Sequence, residues 1–172
     1  ETMNAELLAP VAPQPVRIGT GPHTLVVAGT GAGSGAEACA TALDAPLIAE
    51  VASGAHFGPN LVVAYRQLLR LPEFVDTVER VIVFGTPTLS REVAQLCTSV
   101  PELIVVDSPG ADRYLPIGRD SAAVTVAAAV ETDETANAEL SEWRDIWVAA
   151  SRKILAELDS STPVGVSGVA YG

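Results

Sequence analysis

The sequence predicts an α/β fold: a doubly wound, Rossmann-like parallel sheet of five or six strands with helices on both faces. Three observations favour this class. Short apolar runs alternate with helix-like stretches along the chain. The runs are valine-rich and continuously apolar, which is typical of parallel strands buried on both sides. The 172 residues are enough for one domain with a substantial core.

Five strands are predicted, each from a short apolar run that ends near a glycine or an acidic residue. In chain order they are TLVVAG (24–29), APLIAEV (45–51), VERVIVFG (78–85), ELIVVDS (102–108) and AAVTVAAAV (122–130). Because crossovers between parallel strands are right-handed, the pattern favours a doubly wound order such as 3-2-1-4-5, numbered along these five runs.

Helices are predicted between these strands and after the last one. One follows the first strand to about Leu43, and a second covers 58–71 with Pro59 near its start. A third covers 87–97, with Thr88 as its N-cap. The longest covers 137–159, and its apolar face contains residues 140, 143, 146, 147, 150, 154, 155 and 158.

The two ends differ from the middle in composition. Prolines and glycines are dense in residues 1–22, so we expect a lead-in linker there, a central α/β domain over 23–159 and a trailing linker over 160–172. Both ends look like the cut edges of something larger. No charged-then-apolar leader is present and the longest nearly apolar run, 122–130, is too short for a membrane span, so we expect a cytoplasmic protein.

Charge and cysteine content exclude several function classes. The net charge is −11 and the few basic residues are not clustered, which argues against a nucleic-acid surface. Cys39 and Cys97 lack any CxxC spacing and are interpreted as small core thiols. With His23 and His56 as the only histidines, a structural zinc site is not expected.

The glycine-rich stretch VVAGTGAGSGAEA (26–38) supports two readings. In one register it matches a dinucleotide fingerprint through Gly31, Gly33 and Ala36, and Glu50 lies where an acid would bind the ribose of NAD(P) or FAD. Equally, the glycines could simply let the chain reverse from strand to helix. From the residues alone both readings stay open.

Other catalytic signatures are missing from the sequence. There is no G-x-x-x-x-G-K-[ST] phosphate loop, and neither Ser34 nor Ser167 lies in a G-x-S-x-G elbow. His56 has no nucleophile near it in the pattern and is interpreted as a loop histidine.

Several stretches together resemble the 2-succinyl-5-enolpyruvyl-6-hydroxy-3-cyclohexene-1-carboxylate synthase (MenD) family, the thiamine-diphosphate enzymes of menaquinone biosynthesis. They are TLVVAG, APLIAEV, GPNLVVAYRQLL, VERVIVFGTPTLSREVAQL and ELIVVD, of which VFGTPTLSR is the most specific. The resemblance covers roughly residues 4–158 and corresponds to the family's central domain.

The resemblance implies a parent transferase that decarboxylates 2-oxoglutarate and adds the succinyl unit to isochorismate. In that family the flanking N- and C-terminal domains hold thiamine diphosphate and magnesium, and the C-terminal one does so with a GDG motif that this sequence lacks. The resemblance therefore implies a scaffold domain that binds no cofactor, contains no catalytic residue, contacts its flanking domains and is inactive alone. The full-length enzyme is expected to be a homo-oligomer.

One functional residue is carried over from the family. An arginine after GxPTLxR-like segments reaches toward the substrate carboxylate, and here that residue is Arg91. Arginine can bind a carboxylate with two parallel hydrogen bonds. Arg66 is interpreted as a solvated or interdomain side chain. Two alternatives remain: a free-standing nucleotide-binding module that uses Gly31, Gly33 and Glu50, and a regulatory domain that binds a small acid near Arg91.

Overall fold

The computed structural model describes residues 13–107, 113–132 and 137–161. Within these ranges one all-parallel sheet of six strands runs in the order β1-β6-β5-β4-β2-β3, which confirms the predicted fold class. The strands are β1 (Gln14–Ile18), β2 (Thr24–Ala28), β3 (Leu47–Ala49), β4 (Arg80–Phe84), β5 (Glu102–Val106) and β6 (Val124–Thr132).

In the described part of the chain, five α-helices pack on the two faces of the sheet. They are α1 (Gly35–Ala42), α2 (Tyr65–Leu68), α3 (Pro72–Val75), α4 (Arg91–Ser99) and α5 (Ala138–Ser161). Helix α1 covers one face, where Ala36, Cys39 and Ala40 meet alternate residues of the central strands. The other four cover the opposite face, and the two tryptophans of α5 are buried there. Because β2 and β4 are covered on both sides, all of their residues are buried.

The predicted doubly wound layout is confirmed, but the example order 3-2-1-4-5 is wrong. The five predicted strands follow the order 2-1-3-4-5, because β4 pairs with β2 over five residues, from Thr24 with Arg80 to Ala28 with Phe84. The outer edge of the three-residue β3 is instead bridged by Leu61, which pairs with Leu47. The crossovers therefore leave β2 and β4 in opposite directions, and the switch point lies between these two strands.

The predicted helix over 58–71 is wrong in its first half. Leu47 donates its amide hydrogen to the carbonyl of Asn60 at 2.8 Å, and Val62 donates to the carbonyl of Leu47 at 2.8 Å. Because this segment pairs with β3 as an extended chain, its helical residues are confined to α2, and Pro59 precedes the bridge rather than a helix.

Strand β1 adds a sixth strand at the far edge of the sheet, beside β6. It lies within residues 1–22, for which a linker was expected. The domain limits 23–159 and 160–172 stay predictions, and residues 162–172 lie outside the described part of the chain.

Helix α5 is the long helix that the sequence predicts, but its buried face is rotated. Ile146 and Leu158 are 53 % and 48 % exposed, whereas Val148 and Ser151 are buried. Ser151 lies inside because its hydroxyl accepts a hydrogen bond from the Ala64 amide at 2.9 Å, which satisfies a buried donor ahead of α2. Within the described ranges, no helix combines the length and the apolar character that a membrane crossing requires.

Candidate functional site

Two glycine-containing turns meet at the switch point. We call residues 29–34, between β2 and α1, the first turn, and residues 85–90, between β4 and α4, the second turn. Thr30 and Thr86 exchange two backbone hydrogen bonds, of 3.0 and 2.9 Å. The approach is so close that a Cβ atom on Gly29 would lie 2.1 Å from the Pro87 nitrogen. The backbone conformation of each turn is therefore constrained by contact with the other turn.

Four backbone amides of the first turn, those of Gly29, Thr30, Ala32 and Gly33, are bonded within the protein. Gly29 donates to Phe84 at 2.9 Å, Ala32 to Gly29 at 3.1 Å and Gly33 to Ser53 at 2.9 Å. Gly31 and Gly33 have φ of 81° and 67°, values that favour glycine whatever the turn binds. The positive φ values suit a reversal of the chain. A phosphate cradle needs amides that point outward to an anion, and the Gly33 amide points to Ser53 instead.

Glu50, the candidate ribose acid, faces the second turn. Its side chain follows β3 and is only 1 % exposed. One carboxylate oxygen, Oε1, accepts hydrogen bonds from the amides of Thr88 at 3.0 Å and Leu89 at 2.7 Å, and Oε2 accepts from Thr88 at 3.2 Å. The structure therefore brings Glu50 to the turn that precedes Arg91, and not to Gly31 and Gly33.

The start of α4 differs from the expected one. The N-cap is Ser90 rather than Thr88, and the Ser90 hydroxyl accepts a hydrogen bond from the Val93 amide at 3.3 Å. Thr88 cannot cap the helix because it lies two residues earlier, in the turn held by Glu50. Arg66 is exposed, as expected for a solvated residue, and it donates to the Leu89 carbonyl.

An ion pair stabilises the first turn of α4. Arg70 donates to Oε1 of Glu92 through both Nε and Nη2, and the Ser90 hydroxyl donates to Oε2. The hydrogen bond from Arg70 is the main reason that the pKa of Glu92 is lowered from its ordinary 4.5 to about 2. Arg70 and Glu92 are thereby engaged with each other.

Arg91 is the first residue of α4, and its side chain is exposed at the carboxyl edge of the sheet. Among residues 13–107, 113–132 and 137–161, no acidic side chain forms an ion pair with it. A cation at a helix N-terminus is disfavoured by the helix dipole, so its position gains no stability from that field. Arg91 is therefore an exposed guanidinium that has no acidic partner among the described residues.

Two cavities border Arg91, one on each side of α4. The polar cavity has a volume of about 620 Å³ and includes Arg70, Asp76 and Glu92. The apolar cavity has a volume of about 590 Å³ and lies between Pro87 and residues 114–117. The second combines an open cation with an apolar wall, which suits a small organic acid.

The wall of the apolar cavity is fixed to α4. Arg119 donates to the carbonyls of Cys97, Thr98 and Val100 at the end of that helix. Burial raises the pKa of the Cys97 thiol to about 12, and the neighbouring Tyr114 side chain lowers that pKa slightly in return. Residues 114–117 therefore have a defined place beside Arg91.

The remaining candidates serve structural roles. Cys39 and Cys97 are free and buried, which confirms their interpretation as core thiols, and burial also raises the pKa of Cys39 to about 12. His56 lies in the loop after β3, where its Nδ1 is 2.8 Å from the Ala49 carbonyl oxygen. His23 stacks on Trp143 with 4.6 Å between ring centroids. Among the described residues, no three His, Cys, Asp or Glu side chains cluster as metal ligands.

Comparison with known proteins gives one consistent result. No protein-family model matches the chain. Curated relatives named 2-succinyl-5-enolpyruvyl-6-hydroxy-3-cyclohexene-1-carboxylate synthase do match it. The protein of Leifsonia xyli subsp. xyli is 49 % identical over 80 % of this chain and 23 % of its own length. That of Clavibacter michiganensis subsp. michiganensis is 48 % identical over 92 % of this chain and 27 % of its own. The chain belongs to this synthase family.

The match covers a segment of the family's proteins. The relative from Renibacterium salmoninarum, 38 % identical, is likewise matched over 86 % of this chain and 26 % of its own length. The chain therefore spans about a quarter of the length of the curated synthases that it matches, and the recognition made from its motifs is confirmed.

Sequence reasoning missed two parts of the site in this synthase segment. Glu50 was singled out, but the hydrogen bonds that tie it to Thr88 and Leu89 span 38 and 39 residues of sequence. The wall at residues 114–117 follows a Pro/Gly/Asp-rich stretch that predicts only a loop. The short apolar sequence YLPI was the available signal, since an apolar loop segment needs something to pack against.

Proposed function

We propose that this chain is the central scaffold and interface domain of a cytoplasmic, homo-oligomeric synthase that decarboxylates 2-oxoglutarate and adds the succinyl unit to isochorismate in menaquinone biosynthesis. The synthase name of the relatives and their identities of 49 % and 48 % support this assignment. The parent is a transferase, and the N- and C-terminal domains that flank this segment complete it. The segment alone is inactive; turnover by the 172-residue chain with substrates, cofactor and magnesium would contradict this.

The parent uses thiamine diphosphate and magnesium, and the cofactor supplies the stabilised carbanion needed to form the new carbon–carbon bond. The described residues of this segment do not fit the diphosphate. The amides of Gly29, Thr30, Ala32 and Gly33 in the first turn donate to backbone carbonyls, and the close contact between Gly29 and Pro87 leaves no space for a phosphate between the two turns. We therefore assign the cofactor and the metal to the other domains.

The observation that carries the proposed role of this segment is the unpaired Arg91 at the switch point. Ligands of open α/β sheets gather at the carboxyl ends of the strands, beside such a point. Both proposed substrates are carboxylates, and in a chain of net charge −11 an unpaired guanidinium is a local attraction for an anion. Arg91 binds and orients a substrate carboxylate by a bidentate hydrogen bond.

Substitution of Arg91 in the complete synthase tests this role. We expect Arg91→Ala to lower kcat/KM for the substrate it binds by about 10- to 150-fold, since a hydrogen bond to a charged group is worth about 1.5–3 kcal/mol. Arg91→Lys keeps the charge but loses the planar fork, so it should recover only part of the loss. The measurement is steady-state kinetics with each substrate varied in turn.

The matched control is Arg152→Ala, which removes an exposed arginine from α5. It should leave kcat/KM unchanged, because exposed substitutions away from a site have small effects. If Arg91→Ala also leaves kcat/KM unchanged for both substrates, Arg91 is a surface residue and this segment is scaffold alone.

A further inference from the structure

We propose that Glu50 is the positioning residue of Arg91: its buried carboxylate holds the second turn so that α4 starts, and Arg91 projects, at a fixed point of the sheet edge. This inference rests on the proposed function of Arg91 and assigns a residue outside the family motif. It replaces the ribose-binding role that the sequence suggested for Glu50.

The burial of Glu50 is the first observation. A carboxylate that is 1 % exposed has lost its hydration, and none of the described residues forms an ion pair with it. Such a group is costly unless strong hydrogen bonds replace the lost water. Here the replacement comes from two consecutive backbone amides, those of Thr88 and Leu89.

The geometry of these bonds is the second observation. Oε1 accepts from Thr88 at 3.0 Å and from Leu89 at 2.7 Å, so one atom fixes two successive peptide units. Ser90 follows at once as the N-cap, and Arg91 is the next residue. Glu50 therefore connects the end of β3 to the backbone that sets the direction of the Arg91 side chain.

The other contacts of the second turn act at different points. The Thr30–Thr86 backbone pair holds its beginning, and Arg66 holds the Leu89 carbonyl from the outside. The amides of Thr88 and Leu89 have Glu50 as their acceptor. Without it, two amides would lack an acceptor beside the apolar cavity and the turn would rearrange to satisfy them.

Glu50 also acts electrostatically on Tyr114, a residue that lines the apolar cavity. Burial raises the pKa of Tyr114 above its ordinary value, the neighbouring Cys97 raises it further, and the negative charge of Glu50 adds to the effect.

Two conservative variants of the complete synthase distinguish the effect of the acceptor's position from the effect of the negative charge of Glu50. Glu50→Gln keeps a carbonyl oxygen where Oε1 lies and loses the charge, whereas Glu50→Asp keeps the charge and withdraws the carboxylate by one methylene. We expect the kcat/KM of Glu50→Gln to stay within about threefold of the wild-type value. The kcat/KM of Glu50→Asp should fall about tenfold, mainly through a higher KM, and Glu50→Ala should lose about as much. The Gln and Asp pair carries the test if Glu50→Ala does not fold.

A double-mutant cycle distinguishes positioning from general destabilisation. If Glu50 acts through Arg91, Glu50→Asp should change kcat/KM by less than about twofold when Arg91 is already Ala. Glu102→Ala is the control, because Glu102 pairs with Arg80 at 2.6 Å at the amino ends of β5 and β4, away from the carboxyl ends where Arg91 lies. It should lower the thermal midpoint and leave kcat/KM unchanged.

Amide hydrogen exchange gives a readout that does not depend on activity. Glu50→Asp should speed exchange at Thr88 and Leu89 while Glu50→Gln should not. An equal loss of kcat/KM from Glu50→Asp in both backgrounds, or unchanged exchange at those amides, overturns the inference. If Arg91→Ala alone has no kinetic effect, the proposed role of Arg91 fails and the segment is scaffold alone, and the exchange data still show whether Glu50 holds the turn.

Discussion

The first and second turns begin alike and end differently. Each follows a fully buried strand, each starts at a glycine pressed against the other turn, and each leads into a helix. In the first turn the amides of Gly29, Ala32 and Gly33 donate to backbone carbonyls. In the second turn two amides donate to the side chain of Glu50, and an unpaired arginine follows.

The difference teaches that a glycine pattern reports the shape of the backbone and not the presence of a ligand. The glycine-rich turn is the one that resembles a nucleotide loop, yet four of its backbone amides donate to backbone carbonyls. The turn with a single glycine instead leads to Arg91, a charged side chain that forms no ion pair with any of the described residues. The arrangement of charge, more than the number of glycines, therefore indicates where this fold can bind an anion.

The largest expected effect comes from the glycine where the turns touch. Gly85 has φ of 65°, and a Cβ atom there would lie 2.4 Å from the Thr30 carbonyl oxygen and 2.6 Å from the Ala32 nitrogen. Backbone strain and a rigid clash together should make Gly85→Ala cost about 4 kcal/mol of unfolding free energy. Urea unfolding of the 172-residue chain measures this cost.

Gly31→Ala is the matched control for that experiment. Gly31 has φ of 81°, but a Cβ atom there would meet nothing within 4 Å. Only the left-handed conformation is penalised, so the cost should be about 1 kcal/mol. Equal losses at the two positions would show that the turns do not press on each other as the structure indicates.

Capping should distinguish the two turns more gently. Ser90 accepts a hydrogen bond from the Val93 amide, whereas Ser34, at the start of α1, makes no capping hydrogen bond through its side chain. Ser90→Ala should therefore lower the free energy of unfolding by about 1 kcal/mol, and Ser34→Ala by less than about 0.5 kcal/mol. Thermal unfolding of both variants checks the difference; a larger loss at Ser34 would contradict it.

The sequence predicts the strands well because the burial of a strand is visible in its own residues, as a continuous apolar run. In β4 and β5 the continuous apolar run is itself the consequence of cover on both faces, so its limits were found within two or three residues. Strand order is different, because it depends on which edges pair. The bridge between Leu47 and Leu61 occupies the outer edge of β3. The same bridge makes residues 58–62 extended, although their apolar pattern is typical of a helix.

Residues of the site divide in the same way. Arg91 could be found from a motif, since its position after the strand and turn is local in sequence. The role of Glu50 could not, because its acceptor atoms meet amides from another crossover. Helix α5 shows the same limit. Hydropathy alone places Ile146 on the buried face, but Ile146 is exposed and Ser151 is buried because it bonds to Ala64.

The smallest expected effect is the response of the chain to nucleotides, and it tests the first turn directly. NAD, NADP or FAD at 100 times its dissociation constant would add about 2.7 kcal/mol, or roughly 5–10 °C in Tm for a domain of this size. We expect a change of less than about 1 °C, because four amides of the turn are bonded to backbone carbonyls and Glu50 faces Thr88 and Leu89. A thermal-shift series with each nucleotide measures it, with Glu50→Gln as the companion variant. A rise of several degrees that Glu50→Gln removes would restore Glu50 as a ribose acid, and the two turns would then differ in which ligand they bind rather than in whether they bind one.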